Sequence, residues 1–383
     1  MGLFTKDKNE NPSPNSSPNP KTTITPSKGV KQDVSAGQTR GGTLNSATLL
    51  KNEAVATPKI QDDGTMPQMI NEAQFSDIYI TPDKTCYVWS QKSNCGLKEA
   101  KFIDLKEFVD AVIAKYDGTM NSYSLKYKNR NYRIERTIAM EGEQYCARKM
   151  PSNIPDLEKL GLPSGVYNQL LKLSHQSGLI LFTGATGTGK STSIAALIKK
   201  FLNLEGGYAF TVEDPIEMPL DGTYKTVNGD LGLCKQTVPV DGNWAESIKS
   251  ALRSKPRYIY VGEIRSPESA VELLRAATSG HLVFSTIHGN NVTDAINALG
   301  KYAASSGITE EMAYELIANG FLACIHQNLV GSPRKLKVEA VFANPNPTAG
   351  CPVRGMIRTA RLNLSTIIEQ QGSRMKLGQP LFD

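Results

Sequence analysis

A glycine-rich loop between an apolar run and a helical pattern constrains this chain more than any other feature. Residues 179–183 are an apolar, strand-like run that stops at Gly184, and residues 184–191 have the sequence GATGTGKS. A helical pattern follows, with Ile194 and Leu197 on one face. In the spacing G-x-x-x-x-G-K-S, glycines let backbone N–H groups close around phosphate oxygens, and the helix directs its positive end toward the same anion. The sequence therefore predicts a phosphate-binding strand, loop and helix. The alternative, a chance glycine-rich turn, is disfavoured because both flanks fit the motif.

The residues of this loop have distinct expected roles. Lys190 would reach the β- and γ-phosphates of a nucleoside triphosphate, and Ser191 would hold Mg²⁺. The residues expected to contact the nucleotide are Gly184, Ala185, Thr186, Gly187, Thr188, Gly189, Lys190, Ser191 and Thr192. The expected ligands are therefore ATP and Mg²⁺.

Composition divides the chain into three parts. Residues 1–68 are rich in Pro, Asn, Ser, Thr, Gly and Lys, and they cannot bury enough apolar surface to offset the entropy of the chain. We expect a disordered arm there, which is either a tether that docks a partner or a spacer without a specific role. Residues 69–150 have a globular composition and predict a small α+β domain. Residues 151–383 predict a second domain that contains the phosphate loop.

Secondary-structure patterns support two folded parts. In residues 69–150 the patterns predict strands at 75–80 and 85–90, a helix through 105–113 and a hairpin over 123–136. After the phosphate loop, strands are predicted at 208–212, 258–261 and 282–286, and helices at 190–203, 244–253 and 267–278. Strands that alternate with helices predict an α/β fold whose parallel sheet is covered on both faces.

The patterns at the two ends of the second part are less regular. Before the phosphate-loop strand, a helix capped by Ser164 and ending at Gly178 is predicted. Beyond residue 292 the pattern is mainly helical, with strands near 327–331 and 335–343 and a final helix over 353–371.

Charge and cysteine content exclude some classes of function. The net charge of +6 is spread along the chain without a block of Lys and Arg, so charge alone does not indicate nucleic-acid binding. The six cysteines form no C-x-x-C pair, which favours reduced thiols over a zinc site or a disulfide framework. No apolar run approaches the ~18 residues that a membrane span needs.

An acidic cluster follows the predicted strand at 208–212. Glu213, Asp214 and Glu217 stand within five residues of one another, beyond the carboxyl end of that strand. Open α/β sheets bind ligands at this edge, so the three carboxylates are candidates for positioning Mg²⁺ and water. The alternative is a solvated acidic turn.

Glu263 follows the strand at 258–261, where P-loop enzymes carry a carboxylate. It is a candidate general base for the attacking water, and the alternative is a surface glutamate paired with Arg265. His281 and His288 bracket the strand at 282–286, and His288 is expected beside the γ-phosphate as a sensor of hydrolysis. A structural role is the alternative for each histidine.

The order of these segments resembles that of the secretion traffic ATPases, which serve type II secretion, type IV pili, and type IVB secretion or conjugation. The phosphate loop, TVEDPIE, YIYVGEIR and SGHLVFSTIHGN look like the Walker A, Asp box, Walker B and His box of that family. The resemblance extends over about 69–383. It implies a PAS-like domain at 69–150, a RecA-like ATPase domain at 151–383, and a homo-hexameric ring. The ring would be cytoplasmic, would work peripherally on secretion or transfer components at the inner membrane, and would read no specific nucleic-acid sequence.

Two arginines are carried over by the same resemblance. The segments around Arg133 and Arg148 are similar to family segments whose arginines contact the nucleotide phosphates, often across a subunit boundary. Both are therefore candidate arginine fingers. The alternative is that they only balance the charge of a hairpin.

Departures from the family pattern bear on the branch. Members that assemble pili carry a tetracysteine zinc module, which this sequence lacks. LRSKPR at 252–257, Ser266 and QNLV at 327–330 differ from the usual pattern of pilus-retraction motors. The sequence is thus closer to the type IVB secretion and plasmid conjugative-transfer members. The alternatives are a pilus retraction ATPase, a nucleotide-dependent scaffold with little turnover, and a small-molecule P-loop kinase.

Overall fold

The structure is a computed structural model that describes residues 68–89, 96–346 and 349–382. The predicted disordered arm lies outside these residues, except for Gln68. Within the described ranges, no helix is both long enough and apolar enough to cross a bilayer. The cysteines of these ranges are free thiols.

The first folded part is a six-stranded antiparallel sheet with one helix. Its strands are β1 Asp77–Ile80, β2 Cys86–Trp89, β3 Lys98–Glu99, β4 Ser122–Tyr127, β5 Arg130–Ala139 and β6 Gly142–Lys149. Their order is β3-β2-β1-β6-β5-β4. Helix α1, Leu105–Ala114, buries Phe108, Val109 and Val112, and the Phe108 ring lies 4.8 Å from that of Tyr132. This architecture confirms the predicted α+β class and the hairpin of β4 and β5.

The second sheet has eight strands. They are β7 Gly178–Thr183, β8 Gly207–Val212, β9 Gly222–Lys225, β10 Leu231–Thr237, β11 Tyr258–Val261, β12 Leu282–Ile287, β13 Phe321–Val330 and β14 Lys335–Phe342. Their order is β14-β13-β7-β12-β11-β8-β10-β9. Adjacent strands from β13 to β10 are parallel, and the outermost pair at each edge is antiparallel. The parallel centre confirms the predicted α/β class.

Helices cover both faces of this sheet. They are α2 Ser164–Leu171, α3 Lys190–Glu205, α4 Trp244–Arg253, α5 Pro267–Thr278, α6 Val292–Ala304, α7 Glu310–Gly320, α8 Pro352–Arg358 and α9 Ser365–Lys376. Leu179 and Leu181 of β7 pack in a core cluster that includes α5, α6 and α7. Ile180 and Phe182 point to the opposite face, where α3 contributes to a second cluster. Each such buried side chain contributes roughly 1.5–3 kcal/mol, so β7 is fixed from both sides.

Local capping explains why α4 and α5 have the predicted bounds. The Asn243 side chain accepts a hydrogen bond from the Glu246 backbone N–H at the start of α4. At the start of α5, Ser266 and Ser269 satisfy each other's backbone N–H groups, and Pro267 occupies the first turn. Such caps satisfy donors that a helix start otherwise leaves unpaired, so both helices begin at defined residues.

Three strands of the second sheet differ from the predictions, and the first of them, β9, was not expected at all. Strand β10 was not expected, because Gly232 and Cys234 point inward from it while Leu231 and Leu233 are exposed, which inverts the usual pattern. Strand β13 begins at Phe321, within a segment predicted as helical. Its first five residues are all buried, and a continuous apolar run does not distinguish a buried strand from a buried helix.

The predicted helices at the two ends of the second part also need correction. Ser164 does not cap α2, because it is the first helical residue and Pro163 precedes it without a capping hydrogen bond; the helix ends at Leu171, well before Gly178. The predicted helix over 353–371 is two helices, α8 and α9. Between them Leu362 and Leu364 enter the core, which a straight helix does not allow.

The Gln371 side chain on α9 makes the backbone hydrogen bonds that a further strand would make beside β14, at the edge of the second sheet. Its amide N–H donates to the Phe342 carbonyl at 2.8 Å, and its amide oxygen accepts from the Phe342 N–H at 2.9 Å.

We expect Gln371→Leu to lower the free energy of unfolding by about 1–3 kcal/mol, because both backbone groups lose their partner in a buried position. Urea denaturation measures this change. Gln370→Leu is the control, since Gln370 is exposed on the same helix. Equal losses of unfolding free energy in the two variants would contradict a stabilising role of the Gln371–Phe342 hydrogen bonds.

Candidate nucleotide site

A cavity of about 570 Å³ lies where β7, β8, β11 and β12 reach their carboxyl ends. The predicted site residues that line it are Arg133, Arg148, Thr186, Gly187, Gly189, Lys190, Ser191, Thr192, Glu213, Asp214, Glu217, Glu263 and His288. Gly184, Ala185 and Thr188 belong to the same loop but do not line the cavity. The structure thus brings together residues that the sequence separates by more than a hundred positions.

The phosphate loop is shaped by its glycines. Gly184 has a φ of +138°, and a Cβ there would lie 2.2 Å from the carbonyl oxygen of Gln327 on β13, so the loop begins flush against the neighbouring strand. Gly189 precedes α3 in a left-handed conformation with φ of +88°, and a Cβ there would meet open space. The start of the loop is therefore packed against β13, and the space at Gly189 is open, as a phosphate-binding loop requires.

Lys190 extends over this loop. Its Nζ donates to the carbonyl oxygens of Gly184 and Ala185, at 2.9 Å each. Burial lowers the pKa of Lys190 from its ordinary value, and the carboxylates of Glu263 and Glu217 act in the opposite direction. The ammonium group is thus partly desolvated beside the loop, and phosphate oxygens are the acceptors that would satisfy it best.

The acidic cluster divides into one buried and two exposed carboxylates. Glu213 is 3% exposed and accepts hydrogen bonds from Thr211 Oγ1 at 2.6 Å and from Gln236 Nε2 at 2.8 Å. Burial raises the pKa of Glu213 to about 7, against these hydrogen bonds. Asp214 and Glu217 are exposed and line the cavity. Glu213 therefore anchors the loop, whereas Asp214 and Glu217 are exposed as they would be in a solvated turn.

Glu263 has two partners in the cavity. Its carboxylate oxygens lie 3.1 Å from His288 Nε2 and 3.0 Å from Arg265 Nε. The pairing with Arg265 that the sequence left open is thus present, and Glu263 nevertheless faces the cavity. Arg265 in turn lies over the ring of Trp244, with 5.7 Å between the guanidinium carbon and the ring centre. These contacts orient the carboxylate toward the space where a nucleotide phosphate would end.

His281 is not brought to this cavity. It precedes β12, whereas His288 follows it, so about 20 Å of strand separates them. The His281 ring Nδ1 lies 2.6 Å from the Pro256 carbonyl oxygen at the opposite edge of the sheet. This position corrects the expectation that both histidines serve the site, and it fits the structural alternative for His281. A residue before a parallel strand lies at the edge opposite to one after it.

Arg133 and Arg148 are direct neighbours across β5 and β6, and both line the cavity of their own chain. A contribution from a neighbouring subunit, as the family resemblance suggested, is therefore not needed to bring them near the loop. Arg148 Nε donates to Asp77 Oδ1 at 2.7 Å, and Asp77 is buried. Within the described ranges Arg133 makes no comparable ion pair.

Several residues of the site were not predicted from the sequence. Trp244 and Tyr260 line the cavity. Tyr260 is buried, and burial raises its pKa well above the ordinary value. The only signal for Tyr260 is its place in the strand before Glu263. Gln236, which hydrogen-bonds to the loop after β8, gave no signal in the sequence. Gln327, whose carbonyl lies against Gly184, was noted only for its place in the segment 327–330.

The chemistry of the cavity fits Mg²⁺ bound together with phosphates. The Ser191 hydroxyl and the exposed carboxylates of Asp214 and Glu217 offer oxygen donors, which Mg²⁺ prefers. Among the described residues, no group of three or more His, Cys, Asp and Glu side chains is arranged to hold a metal ion without other ligands. Mg²⁺ is usually bound through one or two carboxylates together with substrate phosphates and water.

Comparison with known proteins places the chain in context. The family described as "Type II/IV secretion system protein" matches residues 110–374. A twitching motility protein of Neisseria gonorrhoeae is 30% identical over 245 residues, which are 63% of this chain and 61% of that protein. A type II secretion system protein E of Dickeya dadantii is 35% identical over 52% of this chain, but only 37% of its own length is covered.

Two solved structures share the fold. The pilus retraction motor PilT with bound ADP is 26% identical, with a TM-score of 0.60 over 81% of this chain and 88% of that chain. The Legionella pneumophila ATPase DotB is 23% identical, with a TM-score of 0.60 over 82% of this chain and 90% of that chain. The fold class predicted from the sequence is thereby confirmed.

Proposed function

This chain belongs to the family of type II/IV secretion system proteins, and we propose that it binds and hydrolyses ATP to drive movement in a secretion or transfer apparatus. One observation carries the proposal: Lys190, Glu263 and Arg133 reach a single cavity from three separate parts of the fold. A phosphate cradle alone serves binding. A carboxylate and two arginines opposite that cradle supply what hydrolysis needs in addition.

The chain's own residues would act in the following way. Backbone N–H groups of the loop and Lys190 would hold the β- and γ-phosphates. Glu263, oriented by His288 and Arg265, would accept a proton from the attacking water. Arg133 and Arg148 would stabilise the negative charge that grows on the γ-phosphate oxygens. Mg²⁺ near Ser191 would neutralise further phosphate charge when bound.

The process that we propose is conjugative DNA transfer or type IVB secretion. The absence of a tetracysteine module and the departures at 252–257, Ser266 and 327–330 support this branch. In this proposal the protein is a cytoplasmic homo-hexamer that is attached peripherally to inner-membrane components of the apparatus. ATP energy would be used through movement of the first folded part against the second.

Pilus retraction is the second candidate. The similarity to a twitching motility protein and to the retraction motor PilT favours it. Gene deletion distinguishes the two: loss of DNA or effector transfer supports our proposal, whereas excess pili that do not retract support the second candidate. A scaffold with little turnover, or a monomeric small-molecule kinase, would lack rapid ATP hydrolysis by an oligomer.

Lys190→Ala tests the proposal in the cell and in vitro. We expect it to abolish phosphate release and to fail to restore transfer in a deletion strain, because the ammonium group that holds the phosphates is lost. The assays are phosphate release from purified protein and a mating assay with complementation. Lys301→Ala on the exposed side of α6 is the control. Full transfer by the Lys190→Ala strain would contradict the proposal.

A further inference from the structure

We infer that Gln236 is a positioning residue that fixes the acidic loop, defined here as residues 213–221, against the nucleotide cavity. The inference rests on the proposed ATP hydrolysis. It assigns a role in that reaction to a residue that does not line the cavity. Gln236 lies near the end of β10, a strand that reaches the site only through the fold. Its side chain points back toward the loop that carries Asp214 and Glu217.

Both ends of the acidic loop are bonded to the same amide group. At the start of the loop, Gln236 Nε2 donates to Glu213 Oε1 at 2.8 Å. Farther along, the same nitrogen donates to the Met218 carbonyl oxygen at 2.9 Å. Gln236 Oε1 accepts from the backbone N–H groups of Leu220 at 2.6 Å and Asp221 at 2.8 Å.

These four bonds use the full capacity of the amide. A glutamine side chain has two N–H donors and one oxygen with two lone pairs. Among the described residues, no other side chain hydrogen-bonds both to Glu213 and to the backbone of the acidic loop. The span between the bonded ends holds Asp214 and Glu217, so the amide ties together the two ends of the segment that carries these carboxylates.

The contacts that hold β10 itself do not depend on this amide. Residues of β10 pair with β8 through backbone hydrogen bonds, the Glu213 N–H donates to the Thr237 carbonyl oxygen, and Thr237 Oγ1 donates to the Thr211 carbonyl oxygen. Removal of the amide should therefore loosen the acidic loop and leave the sheet intact. A displacement of about 1 Å at a reacting centre can lower a rate about 100-fold.

Two variants test the inference. Gln236→Leu removes all four hydrogen bonds at similar size. Gln236→Glu keeps an oxygen that accepts from Leu220 and Asp221, but it directs a second carboxylate at Glu213 and loses both donors. We expect each variant to lower kcat for phosphate release at least about 10-fold, with the dissociation constant of a non-hydrolysed fluorescent ATP analogue within about 2-fold of wild type. The melting temperature should fall as well, because buried partners of the amide are left unpaired, so kcat is measured below the unfolding transition of every variant.

Gln144→Leu is the matched control, because Gln144 is exposed on β6 of the first sheet. If wild-type protein binds the analogue but releases no phosphate, the proposed ATP hydrolysis itself is contradicted, and the inference is contradicted with it. If wild type hydrolyses ATP and both Gln236 variants keep kcat within 2-fold, the inference is overturned. A loss of analogue affinity as large as the loss of kcat would also overturn it, since that result indicates that the whole nucleotide site is disturbed. A loss of kcat with analogue affinity retained supports it.

Discussion

Glu263→Gln should lower phosphate release about 10²–10⁴-fold while ATP binding is retained, because an amide cannot accept the proton of the attacking water. Glutamine has nearly the size of glutamate and still offers an oxygen to Arg265. The surroundings of the site, with His288 at 3.1 Å and Arg265 at 3.0 Å from the carboxylate, should therefore persist. A single-turnover assay with saturating protein separates this chemical step from nucleotide exchange.

The control for this variant is Glu268→Gln. Glu268 is exposed in the first turn of α5, five residues along the chain, and it does not line the nucleotide cavity. Unchanged phosphate release by Glu263→Gln would exclude Glu263 as the general base. Loss of nucleotide binding in that variant would instead indicate that the carboxylate is needed to build the cavity.

Arg133→Ala and Arg148→Ala should each slow hydrolysis strongly, because an arginine that neutralises transition-state charge contributes roughly 10³–10⁵ in rate in other P-loop enzymes. The two variants should differ in stability. Arg148 is paired with the buried Asp77, so its loss leaves a buried carboxylate without that partner and should cost about 1–3 kcal/mol of unfolding free energy. Arg133→Ala should leave stability nearly unchanged.

Steady-state kinetics and urea denaturation measure both effects on the same preparations. Arg334→Ala is the control, because Arg334 is exposed in the turn between β13 and β14. If both variants hydrolyse ATP at the wild-type rate, these arginines serve only the charge balance of their hairpin. Equal stability of Arg133→Ala and Arg148→Ala would show that the Asp77 pair contributes little.

The part of the site that could be predicted consists of short motifs that each directly follow a strand in the sequence. The loop before Lys190, the cluster around Glu213 and the carboxylate of Glu263 each follow a recognisable apolar strand. Since parallel strands end at one edge of a sheet, their order in the sequence suffices to place them together. His281 shows the limit of this reasoning, because it is close to the same strand but on the wrong side of it.

The other part depends on contacts between distant segments. Gln236 reaches the acidic loop only because β10 inserts beside β8, and β10 has an inverted burial pattern that hides it in the sequence. Trp244 begins a helix and joins the site through Arg265. Gln327 meets Gly184 only because β13, which has no alternating pattern at its start, lies next to β7. Such positions follow from strand order, which periodicity does not determine.

The Gln371 amide also affects whether β14 can pair with a strand of another molecule. An outer strand with free backbone groups can recruit a strand from another chain and so extend a sheet from one molecule into the next. At Phe342 the outward N–H and C=O groups are already bonded to Gln371. Gln371 thereby prevents a strand of another copy of this chain from pairing with β14 at this point.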